Sequence, residues 1–107
     1  MKKAYICHEY GGMYDNVKIV VDYIKKLTSY NNNVAYISPI LLFGMLYDTI
    51  PYEKSIEYCL SILVDCDFMI IFGEESNSKG CSIEKKFCND NNIPIIEFRD
   101  YCKRYMR

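Results

Sequence analysis

Residues 68–84, FMIIFGEESNSKGCSIE, decide the fold, because a short apolar run passes at Gly73 into a polar loop and then into a helical pattern. A continuous apolar run of this length between turn signals is typical of a strand buried on both faces of a parallel sheet. In open α/β sheets, ligands bind at the carboxyl ends of such strands. We therefore expect a functional site that includes the loop after Phe72.

The rest of the chain alternates between strand and helix patterns. Strands are predicted over residues 4–7, 34–37, 68–72 and 93–98, and amphipathic helices over residues 17–27, 53–64 and 82–88. Asp15 or Asn16 is the expected cap of the first helix, Ser82 the expected start of the last, and residues 41–47 pack as a short helix or lid. This order predicts one α/β domain over residues 1–107, with a Rossmann-like or flavodoxin-like three-layer fold and a short parallel sheet of about four strands.

Charge and hydropathy limit the partners. Thirteen basic and fourteen acidic residues leave a formal net charge of −1, which predicts no nucleic acid polymer as partner. No apolar stretch reaches the roughly 20 residues of a membrane span, so no membrane partner is expected. His8 and Glu9 interrupt the segment that a secretory signal would need, which favours the cytoplasm.

The size of the chain and its basic end lead to two further expectations. A chain of 107 residues would cover one sheet face thinly, which favours a homo-oligomer whose partner completes the burial. The cluster of Lys103, Arg104 and Arg107 is typical of a solvated tail.

The six cysteines do not follow a metal-binding pattern. Cys59 and Cys66, like Cys81 and Cys88, are separated by two helical turns and not by the short spacing of a zinc ribbon. His8 is the only histidine. We expect the cysteines to be small buried hydrophobic side chains. The sequence predicts no metal site and no cofactor.

Polar motifs stand at the predicted strand ends and carry a resemblance. They are, in chain order, YICHEYGG at residues 5–12, Asn16, Ser38-Pro39, Asp48, Cys66-Asp67 and Ser78-x-Gly80-x-x-x-Glu84. Taken together they resemble the nucleoside 2-deoxyribosyltransferase-like superfamily, and most closely its small phage and bacterial members. The resemblance extends from Tyr5 to about Phe98. It implies a nucleoside or nucleotide as the small-molecule partner.

The resemblance also implies roles for particular residues. In that superfamily a glutamate on the helix after the Ser/Gly loop attacks the anomeric carbon, and Glu84 matches it. The proton donor to the leaving base corresponds loosely to Asp48. The implied ligand-binding residues lie in the loops after the strands and at the start of the helix, namely His8, Tyr10, Gly11, Gly12, Ser38, Ser76, Ser78 and Gly80.

Alternatives remain open at this point. If its helix begins at Ser82, Glu84 lies in the first turn, where an acidic residue also stabilises the helix dipole. Asp48 also suits a turn. The enzyme hypothesis is cleavage or transfer at an N-glycosidic bond through the Glu84 carboxylate. The alternative is a protein of the same fold that binds a cyclic or NAD-derived nucleotide signal without cleaving it, as a phage sponge or a sensor would, and a third possibility is a structural protein that has lost its ligand.

Overall fold

The computed structural model describes residues 1–104, which form four strands and five α-helices. Two short 3-10 helices, Gly44–Leu46 and Gly73–Ser76, lie in the loops. The strands are β1 (Lys2–Cys7), β2 (Val34–Ile37), β3 (Phe68–Ile71) and β4 (Ile95–Glu97). The α-helices are α1 (Tyr14–Tyr30), α2 (Pro39–Phe43), α3 (Tyr52–Leu63), α4 (Lys79–Asp90) and α5 (Phe98–Lys103).

All strand pairs are parallel, and the spatial order of the strands is β2-β1-β3-β4. β1 and β3 occupy the centre, where Tyr5 pairs with Met69 and Ile6 with Ile70. The strand order, with helices between successive strands, is that of a flavodoxin-like sheet. The structure confirms the predicted α/β fold and the sheet of four parallel strands.

Alternate residues of β1 separate two hydrophobic clusters, one on each face of the sheet. Ala4 and Ile6 face the cluster that contains Val20 and Leu27 of α1. Tyr5, Cys7 and Met69 face the other cluster, which is completed by side chains of α3 and α4. Full burial of a side chain such as Leu27 contributes about 1.5–3 kcal/mol to folding.

Helices of this same chain cover both faces of the sheet, so the thin coverage expected from the chain length is not seen. The buried side chains that these helices supply are Val20, Leu27, Leu63, Cys81, Cys88, Tyr101 and Cys102. The homo-oligomer therefore stays a prediction, but thin coverage of one sheet face no longer supports it.

Two helix starts differ from the predictions. The cap of α1 is Met13, without a side-chain bond, and Asn16 lies inside the helix, where its amide donates to the carbonyl of Tyr10 at 2.9 Å. The start of α4 is Lys79 and not Ser82, because the Ser78 hydroxyl accepts a hydrogen bond from the backbone N–H of Cys81. Serine is a favoured N-cap, and its bond outweighs the loop tendency of the glycine that follows.

The end of the chain is also more ordered than predicted. β4 contains only Ile95–Glu97, and the prediction of strand from residue 93 to residue 98 is wrong at both ends. α5 follows at once, with Tyr101 and Cys102 buried against the sheet. Lys103 and Arg104 are exposed as predicted, but Lys103 belongs to this helix and not to a tail. Arg107 lies outside the described residues.

The described helices are all too short or too polar to cross a bilayer.

Candidate functional site

A cleft of about 890 Å³ opens beside the carboxyl end of β1, between α2, α3 and the start of α4. It brings together residues that are far apart in the chain. Those predicted from the sequence that line it are His8, Tyr10, Gly11, Ser78, Gly80 and Glu84. This position agrees with the rule that open α/β sheets bind ligands at the carboxyl ends of their strands.

Glu84 lies in the second turn of α4, so its interpretation as a first-turn dipole residue is wrong. Its side chain points toward the sheet, is only 5% exposed, and lines the cleft. Oε2 accepts a hydrogen bond of 3.1 Å from the phenol of Tyr5. A carboxyl group therefore stands buried at the base of a cleft, which is the arrangement that a carboxylate nucleophile requires.

Burial dominates the electrostatics of this carboxyl group. Burial, followed by the nearby Cys81 thiol, raises the pKa of Glu84, and hydrogen bonds from Tyr5 and Cys7 offset part of this increase, so that the pKa is about 8. Burial and the Glu84 charge together raise the pKa of Tyr5 well above its usual value. In the free protein at pH 7, the protonated form of Glu84 therefore predominates.

Two thiols share this part of the core with Glu84. Sγ of Cys7, Sγ of Cys81 and a carboxylate oxygen of Glu84 lie within 4.8 Å of one another, and all three residues are buried. The Cys7 thiol donates to the carbonyl of Cys81. The contact between the two thiols, followed by burial, raises the pKa of Cys7, whereas the same thiol contact lowers the pKa of Cys81. Sequence spacing could not show this cluster, because its members come from β1 and α4.

Aromatic side chains form the outer wall of the cleft. The rings of Tyr10 and Tyr47 meet edge to face with centroids 5.4 Å apart, and the Tyr10 hydroxyl donates to the carbonyl of Gly44 at 3.2 Å. Gly12 does not line the cleft but supports this wall. Its φ is +75°, and a Cβ there would lie 2.7 Å from the Tyr47 ring. Tyr52 lines the cleft near α4. Planar rings at a cleft wall suit the stacking of a flat ligand such as a nucleobase.

The N-terminus of α4 forms the polar side of the cleft. Ser78, Lys79 and Gly80 all line it, and Nζ of Lys79 lies 5.5 Å from the centre of the Tyr52 ring. The backbone N–H groups of the first turn and the positive end of the helix dipole favour negative charge at this place. This side of the cleft suits the oxygens of a sugar or a phosphate.

His8 lines the cleft, but both of its ring nitrogens are engaged within the protein. Nε2 lies 2.6 Å from Oε2 of Glu75, and Nδ1 lies 2.7 Å from the carbonyl oxygen of Glu9. Both ring nitrogens are therefore occupied by oxygen atoms of this chain. The other oxygen of Glu75 accepts from Tyr23 at 2.7 Å. His8 therefore fixes the loop after β1, and its side chain has no exposed surface.

Besides Gly12, three predicted site residues do not line the cleft. Asp48 is exposed in the turn before α3. Ser38 is buried as the cap of α2, where its hydroxyl accepts from the N–H of Leu41. Ser76 is fully buried, donates to the carbonyl of Cys7 and accepts from the N–H of Phe72. The hydroxyls of Ser38 and Ser76 therefore bond to backbone groups and stabilise the fold.

Several cleft residues were not found from the sequence. Tyr5 was assigned to the core of the first strand. The one available signal for its role was that a buried phenol hydroxyl needs a hydrogen-bond partner. Tyr47, Tyr52, Cys59 and Cys81 also line or border the cleft. Tyrosines and cysteines of this kind cannot be told from ordinary core residues without the tertiary structure.

The fold and the site together define a flavodoxin-like α/β protein with a ligand cleft at the carboxyl end of its sheet. The chain belongs to the family described as Domain of unknown function (DUF7768), which matches residues 2–98. No curated protein matches the chain.

Among solved structures, the chain is similar to one titled 2-desoxiribosyltransferase from Leishmania mexicana. The TM-score is 0.66 and the sequence identity 13%, with 91% of this chain and 63% of that chain covered. This chain therefore spans somewhat less than two thirds of the length of that structure. The likeness establishes a shared fold.

Proposed function

We propose that the protein cleaves or transfers at the N-glycosidic bond of a nucleotide, with Glu84 as the nucleophile. The observation that carries the proposal is the buried Glu84 carboxyl group at the base of the cleft, hydrogen-bonded to Tyr5. The fold that the chain shares with a 2-desoxiribosyltransferase supports it. A nucleoside or nucleotide is the corresponding small-molecule partner.

The arrangement of the cleft supports a specific orientation of the substrate. The base stacks against the aromatic wall of Tyr10 and Tyr47, and the sugar lies over Glu84. A 5′-phosphate then reaches the N-terminus of α4 and Lys79, which favours a nucleotide over a free nucleoside. The distribution of apolar and positive groups in one cleft matches the chemistry of such a ligand.

The reaction consists of two displacements. Glu84 first releases its proton to solvent, and the resulting carboxylate forms an ester bond to C1′ while the C1′–N bond breaks and its electron pair leaves with the base. The positive charge that develops at C1′ stabilises the ionised carboxylate beside it. Tyr47 and Tyr52 are partly exposed at the mouth of the cleft, so solvent can supply the proton that the base takes up. Water or a second base then attacks C1′ and releases Glu84, which gives hydrolysis or transfer.

The experiment is a base-release assay on a panel of ribonucleotides, deoxynucleotides and their nucleosides, read by chromatography. The Glu84→Gln variant keeps the shape of the protonated side chain and can still accept from Tyr5. We expect its rate to fall below about one-thousandth of the wild-type rate, with the melting temperature retained. Glu57→Gln is the matched control, because Glu57 is exposed on α3 and pairs only with Lys54 among the ion pairs of the described residues.

The outcomes separate the possibilities. Base release that persists in Glu84→Gln, or that is lost equally in Glu57→Gln, would contradict the nucleophile. Addition of a second free base to the reaction distinguishes the two activities, since a transferase yields a new nucleoside and a hydrolase does not.

A second candidate function is binding of a nucleotide without cleavage. It is favoured by the pKa of Glu84, raised by burial to about 8, because a protonated carboxyl group cannot attack C1′. The exposed position of Asp48, outside the residues that line the cleft, also favours it. A cyclic or NAD-derived nucleotide that raises the melting temperature and is recovered intact after denaturation would support binding over catalysis.

A further inference from the structure

The buried cluster of Cys7, Cys81 and Glu84 contains two thiols that the proposed glycosidic reaction does not use. The two thiol sulfurs and a carboxylate oxygen lie within 4.8 Å of one another. Glu84 alone serves the proposed reaction, and neither cysteine has a role in it. A cluster of this kind is the donor set of a thiophilic divalent metal ion.

We propose that Cys7, Cys81 and Glu84 bind one Zn²⁺ ion at the base of the cleft. Two sulfurs bound to a tetrahedral zinc ion at about 2.3 Å stand about 3.8 Å apart. The cluster therefore needs side-chain movement of no more than about an ångström to reach this geometry. The chain supplies three ligands, and the fourth position is open.

The surroundings decide where the open position points. Cys81 and Glu84 line the cleft, whereas Cys7 lies behind them at the end of β1. The fourth position therefore faces the cleft, where water or a donor atom of a ligand can fill it. Closed structural sites use four protein ligands, so a three-ligand site that opens onto a cleft belongs to the exchangeable kind.

Ligand chemistry selects the ion. Two thiolates disfavour Mg²⁺ and Ca²⁺, which prefer oxygen ligands. The carboxylate favours Zn²⁺ over Cu(I), which prefers soft ligands alone. As the bonds to zinc form, both thiols and the Glu84 carboxyl group release their protons to solvent, and the divalent charge offsets two of the three negative charges that result.

Binding of the ion has a consequence that rests on the proposed function. A zinc ion coordinated to Glu84 holds the carboxylate lone pair that would attack C1′. The metal-bound protein is therefore inactive as a glycosidase, and removal of the ion restores activity. Metal binding itself does not depend on the reaction.

The test of binding uses the full chain, reduced with a phosphine. Co²⁺ is the spectroscopic probe, because thiolate ligation to Co²⁺ gives an intense sulfur-to-metal absorption, and competition with a chromogenic chelator gives the Zn²⁺ affinity. We expect the absorption in the wild-type protein and its loss in Cys7→Ser and Cys81→Ser. The Zn²⁺ affinity should fall at least about tenfold in each, and also in Glu84→Gln.

The matched control is Cys88→Ser, because Cys88 is buried on the same sheet face and the same helix but lies outside the cluster. It should keep both the absorption and the affinity. Thermal melting with and without Zn²⁺ provides a second readout that does not depend on a thiolate spectrum. The ion should raise the melting temperature of the wild-type and Cys88→Ser proteins and not that of Cys81→Ser.

Equal Zn²⁺ affinity in the wild-type and Cys81→Ser proteins, or absorption that is lost in Cys88→Ser, would overturn the site. The inhibition is tested separately by base release with and without a chelator. If the metal-free protein releases no base, the proposed function fails while the Co²⁺ absorption still reports on the site. If base release is present and unaffected by saturating Zn²⁺, the inhibitory role is overturned.

Discussion

The phenol of Tyr5 donates a hydrogen bond of 3.1 Å to Oε2 of Glu84, which joins the centre of the sheet to the second turn of α4. Tyr5 is fully buried, and pairing with Ile37 on one side and Met69 on the other fixes its backbone. Glu84 is thus oriented by a residue that cannot move without disturbing three strands. The carboxyl group is held in place before any ligand arrives.

Tyr5→Phe tests this orientation. The change removes the donor and keeps the ring, so the fold should persist while base release falls about tenfold to a hundredfold, the range expected for a lost bond to a charged group. Tyr36→Phe is the control, because the Tyr36 hydroxyl contacts Tyr101 and backbone carbonyls away from the cleft. The assignment is supported if Tyr36→Phe has a lower melting temperature with unchanged base release, whereas Tyr5→Phe has an unchanged melting temperature with reduced base release. Unchanged base release in Tyr5→Phe would contradict it.

Gly12→Ala tests the aromatic wall. The new Cβ would lie 2.7 Å from the Tyr47 ring, so the ring must move away from its contact with Tyr10. We expect base release to fall about tenfold to a hundredfold, because a displacement of about an ångström at a binding wall has an effect of this size.

Gly73→Ala separates this effect from backbone strain. Gly73 has a φ of +59°, and nothing lies within 4 Å of the position of its Cβ. Both alanine variants bear the left-handed penalty of about 1–2 kcal/mol, but only Gly12→Ala displaces Tyr47. Equal base release in the two variants, measured well below their melting temperatures, would show that Tyr47 does not position the substrate.

The central architecture could be predicted from the sequence because its signals are local. The run from Phe68 to Ile71 is apolar without alternation, which only burial on both faces explains, and it forms β3 at the centre of the sheet. Turn residues mark the ends of β2, whose predicted bounds match the structure. These features depend on periodicity and turn chemistry, which a sequence shows directly.

The details of the site could be predicted only in part, because they depend on contacts between distant segments. Glu84 and Gly80 were placed near one another by the motif Ser78-x-Gly80-x-x-x-Glu84, with Gly80 in the loop before the predicted helix. Tyr5 lies 79 residues before its partner Glu84, and Cys7 lies 74 residues before its partner Cys81. No local pattern pairs these strand residues with α4. Asp48 was assigned by alignment of a motif alone, and its position is exposed. These side chains come together only when the strands and helices pack, so the sequence does not show their contacts.

Ser76→Ala tests whether Ser76 stabilises the fold instead of binding a ligand. Its hydroxyl donates to the Cys7 carbonyl at the end of β1 and accepts from the N–H of Phe72 at the end of β3, in a fully buried place. Loss of the hydroxyl leaves both backbone groups without this partner, so the free energy of unfolding should fall by about 1–3 kcal/mol in a urea titration. Ser61→Ala, which removes an exposed hydroxyl on α3, should change it by less than about 0.5 kcal/mol. A fall in Ser76→Ala no larger than in Ser61→Ala would contradict the structural role.

Tyr23 links alkaline stability to the network around His8. Its hydroxyl donates to Oε1 of Glu75 at 2.7 Å, and burial, with this bond and the charge of Glu75, raises the pKa of Tyr23 to about 12. An unfolded tyrosine titrates near pH 10, so the folded state binds this proton more tightly. The resulting stabilisation is complete below pH 10 and is lost as the pH rises from about 10 to about 12.

Tyr23→Phe removes that dependence. The difference in free energy of unfolding between the wild type and Tyr23→Phe should be constant from pH 7 to pH 9 and should shrink as the pH rises above about 10. Urea titrations at fixed ionic strength across this range measure it, and Tyr14→Phe, which alters an exposed ring at the start of α1, controls for the general effect of losing a tyrosine. A difference that stays constant to the alkaline limit of folding would mean that the Tyr23 proton is not held by Glu75. The loop after β1 would then be held to Glu75 by the contact of His8 Nε2 with Oε2 and by the backbone bond of 2.7 Å from the N–H of Glu9 to the carbonyl of Glu75.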